Sequence, residues 1–305
     1  MSATTAIADA TISLCRQATE ATLACAGRRG NVVELSADHG DELMVVADLH
    51  GNRLNLEKLL RIADLAGHPR RHLIMQEVCH GGPEYPGEGG CMSHLMLEDM
   101  ARLKVEFPNR FHFLLSNHEL AELADFPICK SRKMLNLLFR CGITEMYGPS
   151  AGERVRAAYM EFIASCPLAV RLSNGVFVSH SLPERCDREG FDAAIFQRPL
   201  TEMDYKPGSS VFRLVWGRDF RSANAEAFAK LVGAEVLIHG HEPCSAGFSV
   251  PNSRQVILDG CGSKACYVIL PIATKLSQQQ VIERISPLHG SPPTITNGKP
   301  CDQRV

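Results

Sequence analysis

The 305-residue chain predicts a layered α/β fold, and two observations carry that expectation. Short apolar runs alternate with segments whose apolar residues recur every three or four positions, the pattern of strands and helices stacked around a shared core. Several of those runs also end directly in Asp, Glu, Asn or His, where functional loops gather beyond strand ends in such folds.

The elements follow in order. Residues 7–26, rich in Ala, Leu, Thr and Cys without a turn signal, read as an N-terminal helix closed near Gly27 and Gly30. Val32–Leu35 and residues 43–47 are short apolar strands about His39-Gly40-Asp41, a hairpin pattern. After Asp48-Leu49-His50-Gly51-Asn52 the period turns helical, with Leu56, Leu59, Leu60, Ala63 and Ala66 on one face. Residues 72–76 form the next strand, 77–90 a glycine- and proline-rich loop, and 91–107 an amphipathic helix stopped by Pro108. A strand over 111–115 ends in Ser116-Asn117-His118-Glu119, and helical spacing then holds over 132–141 and 153–165. Strands over 168–173 and 175–179 flank Asn174-Gly175, a strong hairpin signal, and the second delivers His180. Residues 187–210 carry little periodicity and suit a surface excursion with a short helix. A helix over 223–232 closes at Gly233, and the strand 236–238 runs into His239-Gly240-His241-Glu242-Pro243. Strands over 256–258 and 265–270 follow, and 287–305, heavy in Pro, Gly and small polar residues, reads as a loosely ordered tail.

Composition narrows the function. Lys and Arg total 32 against 34 Asp and Glu, a net charge of −2, so no basic excess is present to hold a nucleic-acid backbone. The first thirty residues place Asp9, Arg16 and Glu20 within or beside their apolar stretch, which fits neither a signal peptide nor a membrane span, and a cytoplasmic protein is expected. The 12 cysteines are irregularly spaced without a CxxC pair and read as reduced thiols.

Asp48, Glu77, Asn117, His180 and His241 each follow an apolar run, with His50 and His118 beside two of them. One such residue is ordinary turn chemistry. Five in series can place carboxylate, amide and imidazole groups around one point, a set suited to two borderline divalent ions. Two ions roughly 3.5–4 Å apart activate a bridging hydroxide and hold phosphate oxygens during in-line attack.

The ordered series Asp48-Leu49-His50-Gly51-Asn52, Gln76-Glu77, Asn117-His118-Glu119, His180 and Gly240-His241 resembles the calcineurin-like metallophosphoesterases, especially their serine/threonine phosphoprotein phosphatase branch. The resemblance implies a β-sandwich flanked by helices. It spans about three quarters of the chain and implies a helical extension over 1–30, a single catalytic domain over 31–286 and a tail over 287–305. It also implies that Asp48 and His50 bind the first metal, that Glu77 bridges, and that Asn117, His180 and His241 bind the second. His118 would be the general acid and Glu119 its supporting turn residue. The ions would be two divalent or mixed-valence metals among Mn, Fe, Zn and Ni, and the substrate a phosphoprotein or phosphorylated small molecule. His239 competes with His241 for the last position, and the glycine before His241 favours the latter.

The second motif departs from the family. Where the family has Gly-Asp-x-x-Asp-Arg-Gly, this chain has Gln76-Glu77-Val78-Cys79-His80-Gly81-Gly82, so the bridging carboxylate is one methylene longer. His80 replaces the Asp that orients the catalytic histidine, and Gly81 the Arg that clamps phosphate. Arg53, Arg218, Asn117 and His80 are the expected substrate-binding residues, with Glu84 or Glu88 able to reach back from the loop. The changes His80→Asp and Gly81→Arg are expected to restore both functions. A metal-stabilised binding protein with little catalysis, and a phosphodiesterase or nuclease, stand as alternatives to phosphomonoester hydrolysis.

Overall fold

The computed structural model describes residues 3–87 and 90–290. Two sheets face one another. The five-stranded sheet runs, edge to edge, Ile285–Pro287, Cys266–Pro271, Glu42–Val46, Arg71–Gln76 and Phe111–Leu114. The seven-stranded sheet runs Arg28–Arg29, Val32–Leu35, Ala169–Leu172, Val176–Ser179, Val236–His239, Gln255–Leu258 and Phe248–Ser249.

The sandwich follows from period-two burial on strands apolar on both sides. Leu43, Val45 and Ala47 point inward to meet Val33, Val170, Val178 and Ile238 of the opposite sheet. Met44 and Val46, one residue out of phase, join a second core beneath the helices with Leu56, Met96, Phe139 and Phe162. Helices Arg53–Ala63 and Ser93–Glu106 connect the parallel strands Glu42–Val46, Arg71–Gln76 and Phe111–Leu114. The observed architecture is therefore the expected helix-flanked β-sandwich.

The N-terminal helix, Ala3–Leu23, packs on Ser93–Glu106 and Pro149–Ser165, where Ala8, Ile12, Cys15 and Ala18 are buried. Two local expectations are corrected. Val32–Leu35 does not pair with the following strand. It runs parallel to Ala169–Leu172, while Glu42–Val46 lies in the other sheet between Cys266–Pro271 and Arg71–Gln76. The intervening turn therefore crosses from one sheet of the sandwich to the other. Pro287, the first residue of the expected tail, is paired with Cys266 at the end of Ile285–Pro287; residues 291–305 lie outside the described residues. No disulfide is present among the described cysteines, and no described helix is long and apolar enough to cross a membrane.

Candidate metal centre

Five strands end at one edge of the sandwich. Glu42–Val46, Arg71–Gln76 and Phe111–Leu114 are parallel neighbours, so Asp48, Glu77 and Asn117 emerge side by side. Val176–Ser179 and Val236–His239 are parallel neighbours in the other sheet and bring His180 and His241 to face them. His50, Glu77, His80 and His241 all adopt positive φ, at 43°, 50°, 65° and 69°. Such a backbone costs about 1–2 kcal/mol per residue and survives where the surroundings enforce it. Here the N–H groups of Leu49 and His50 both donate to the Glu77 carbonyl at 2.9 Å, locking the first two loops together.

Glu77 is the hub. Its Oε1 lies 3.3 Å from Nε2 of His50 and 3.3 Å from Nε2 of His118, and its Oε2 lies 2.9 Å from Nε2 of His180. Asn117 Oδ1 lies 2.7 Å from His180 Nε2 and 3.1 Å from His241 Nδ1. Two groups of donors suit a cation: His50 with Glu77 and His118, and Glu77 with His180 and His241. Asp48 joins at the back of the site, its Oδ1 3.9 Å from His180 Nδ1.

Burial shifts the titratable groups of the site toward their neutral forms. Burial, and then the charge of Glu77, holds Asp48 well above the ordinary carboxylate range. Burial pushes Glu77 up to about 7 against the opposing influence of His50. Burial likewise drives His241 well down and lowers His180, so these two rings favour the neutral form that ligates metals; burial, and then the charge of His50, also holds His118 well down. His180 shows the consequence. Its Nδ1–H donates to Gln76 Oε1 at 2.9 Å, which leaves the Nε2 lone pair facing oxygens of Asn117 and Glu77. A neutral imidazole cannot satisfy acceptors on both nitrogens, whereas a cation at Nε2 satisfies all three groups. Asp48 Oδ1, Glu77 Oε2 and His241 Nε2 are buried without a hydrogen-bond partner, so the donor set fits metal ions.

Other expected residues are placed differently. Glu119 Oε1 accepts the N–H groups of Val78 and Cys79 at 3.0 and 2.8 Å, and its Oε2 accepts the Ser116 hydroxyl, so its carboxylate braces the Glu77 loop. Arg53 pairs with Asp99 at 2.8 Å. Arg218, half exposed, pairs with Glu242 at 2.5 Å, beside His241. Glu84 pairs with exposed Lys133 at 2.8 Å, and Glu88 lies outside the described residues. His239 turns Nδ1 toward the Ser179 carbonyl at 3.1 Å, away from the Asn117 oxygen that meets His241.

His80 has no exposed side-chain surface. It lies between His118, Nδ1 to Nδ1 at 2.9 Å, and Glu122, Nε2 to Oε1 at 2.8 Å. Sequence reading passed over Glu122 and Gln76. Glu122 stands four residues after His118 on the helix Asn117–Leu123, a spacing that puts both on one face. The expected rescue by Gly81→Arg is corrected as well: Gly81 has φ 132°, and a Cβ there would lie 2.6 Å from the His50 carbonyl oxygen. Glycine at this position lets the first two loops touch.

No family model matches the sequence, and no curated protein matches it. Among solved structures the chain is similar to a protein serine/threonine phosphatase from Saccharomyces cerevisiae with similarity to human phosphatase PP5, at TM-score 0.65 and 14% identity, covering 86% of this chain and 82% of that one. It is similar also to the cold-active protein-tyrosine phosphatase of a psychrophilic Shewanella species, at TM-score 0.53 and 13% identity, covering 82% of this chain and 79% of the other. At these identities the likeness establishes architecture alone: the chain has the layered α/β fold that these phosphatases share.

Proposed function

We propose that this chain is a calcineurin-like metallophosphoesterase that hydrolyses phosphomonoesters at a centre of two divalent or mixed-valence ions. The reading is carried by the convergence of unreceived lone pairs on Asp48, Glu77 and His241 with the crossed acceptors around His180 Nε2. Asp48 and His50 would hold one ion and Asn117, His180 and His241 the other, with Glu77 between them. Mn, Fe, Zn and Ni all suit such a mixed N/O set. Ions so held supply an acidified water and positive charge for the phosphoryl oxygens.

The chain's own residues do the remaining work. Gln76 fixes the His180 ring with Nε2 toward the centre. Asn117 contributes an oxygen without adding charge to a site that already buries two carboxylates. His118 directs Nε2 toward Glu77, where it can give a proton to the leaving oxygen. Arg218 and Arg53 are both assigned to phosphate binding; Arg218 pairs with Glu242, the residue after His241 in the chain, and Arg53 pairs with Asp99. Phosphoproteins and phosphorylated small molecules both suit this chemistry.

Metal analysis of the purified chain, paired with turnover of p-nitrophenyl phosphate and phosphoserine peptide after Mn²⁺ addition, tests the reading. About two ions per chain and metal-dependent phosphate release are expected. Full metal content without turnover of either substrate would replace it with a metal-stabilised binding protein, and no bound metal would end both.

A further inference from the structure

We propose that Glu122, acting through His80, is the positioning residue for His118, so that a buried Glu–His–His chain does what a single carboxylate does in the fully matched family motif. The catalytic consequence rests on the phosphomonoesterase reading above; the hydrogen-bond assignment does not.

The assignment comes from counting protons. Glu122 and His80 have no exposed side-chain surface, and Glu122 Oε1 stands 2.8 Å from His80 Nε2. A carboxylate only accepts, so the proton of a neutral His80 sits on Nε2. The opposite tautomer would press a ring lone pair against a carboxylate oxygen, away from water, at a cost of several kcal/mol by the usual penalty for burying unpaired groups. With Nε2–H committed, His80 Nδ1 is an acceptor. It faces His118 Nδ1 at 2.9 Å, so His118 donates from Nδ1 and presents Nε2 to the centre. One buried carboxylate thereby orients two rings, and the proton His118 would give to the leaving oxygen is a second one, carried on Nε2 where that nitrogen faces Glu77 Oε1 at 3.3 Å, while Nδ1–H stays with His80.

The surroundings hold the chain in place. The His80 backbone N–H donates to Ser93 Oγ at 3.0 Å, and the ring of Phe139 meets the His80 ring edge-to-face at 5.7 Å. Arg140 Nε lies 3.7 Å from Glu122 Oε2 and adds positive charge on the far side of the carboxylate. The chain therefore runs from a half-exposed guanidinium on the helix Leu135–Tyr147 to the metal centre.

Two measurements on the full chain test the proposal. Histidine-selective ¹⁵N NMR of the metal-free protein, with His80 and His118 assigned from single His→Gln variants, reads the tautomers without any turnover. The expected result is Nε2–H for His80 and Nδ1–H for His118, with His118 losing its preference in Glu122→Gln and keeping it in Glu122→Asp. A doubly protonated His80, or an Nδ1–H His80, overturns the proposal. The second measurement compares kcat for substrates of different leaving groups in the Mn²⁺-loaded protein. Glu122→Gln should lower kcat for phosphoserine peptide about 100-fold while changing p-nitrophenyl phosphate turnover by less than about fivefold, because general-acid help matters most for poor leaving groups. Equal loss on both substrates, at wild-type metal content and melting temperature, would make Glu122 merely structural. Correct tautomers in a protein that turns over neither substrate would keep the hydrogen-bond chain and remove the phosphomonoesterase reading instead.

Discussion

Gly240→Ala should separate metal binding from folding. A Cβ at Gly240 would lie 2.2 Å from Asp48 Oδ1, and 3.0 Å from the Cβ of Ala47. The carboxylate must retreat by at least 0.8 Å to reach even a tight 3.0 Å contact. Metal–ligand distances tolerate only about 0.2 Å, so the retreat removes Asp48 as a ligand rather than stretching it. We therefore expect Mn²⁺ affinity to fall by about 100-fold or more, equivalent to ~2.8 kcal/mol, while metal-free stability changes by roughly 1–2 kcal/mol. Calorimetric titration with Mn²⁺ and metal-free denaturant melts measure the two quantities on one preparation. Gly262→Ala is the control, since the nearest atom to its Cβ would be 3.9 Å away. Wild-type Mn²⁺ affinity in Gly240→Ala would refute both the ligand role of Asp48 and the tight approach that keeps residue 240 a glycine.

Three further outcomes follow from the same geometry. Asp48→Asn should lower metal content in elemental analysis, whereas His118→Ala should keep its metal and lose turnover of poor leaving groups; equal metal loss would put His118 among the ligands. Glu119→Ala frees the amides of Val78 and Cys79 and the Ser116 hydroxyl, so it should cost about 3 kcal/mol in denaturant melts and weaken metal binding through Glu77, while an unchanged melt would deny its bracing role. Stability should also fall with acid away from the site. His72, stacked on His112 and facing Arg70, Arg110 and His39, is pushed down to about 4 by burial. Below its ordinary value of 6.5 the unfolded chain takes a proton that the folded chain refuses, so stability is complete above that pH and drains toward pH 4. His72 alone contributes about 3 kcal/mol to that loss, and His72→Gln should flatten the curve of unfolding free energy against pH; parallel curves would refute the assignment.

The strand-end residues were legible because each sits at a change of period, from apolar alternation to a polar turn. Asp48, Glu77, Asn117, His180 and His241 could be marked that way without coordinates. Sheet membership was not legible. Val32–Leu35, buried except at Glu34, and Glu42–Val46, buried beyond Glu42, are short apolar runs, and such a run carries no pattern saying which neighbour it takes. Arginine partners were hidden for a related reason: nothing in the sequence pairs Arg53 with Asp99 or Arg218 with Glu242. Glu122 had a signal, its helical spacing from His118, but a carboxylate on a helix is ordinary until something buried needs it.

Ligands drawn from both sheets give the centre a second meaning, in time rather than space. His241 follows Asp48 by 193 residues, and the strand that leads into it docks between Val176–Ser179 and Gln255–Leu258 of the seven-stranded sheet. Contacts this distant form late in folding, after loop closure has been met by other contacts. During synthesis the earlier half of the chain exposes Asp48, His50, Glu77 and Asn117 as a partial set, and the full set exists only after residue 241 has joined the sheet. Metal capture at the proposed centre would then report the closure of the sandwich and add its binding free energy at that step, tightening the seam between the sheets just as the last strands arrive.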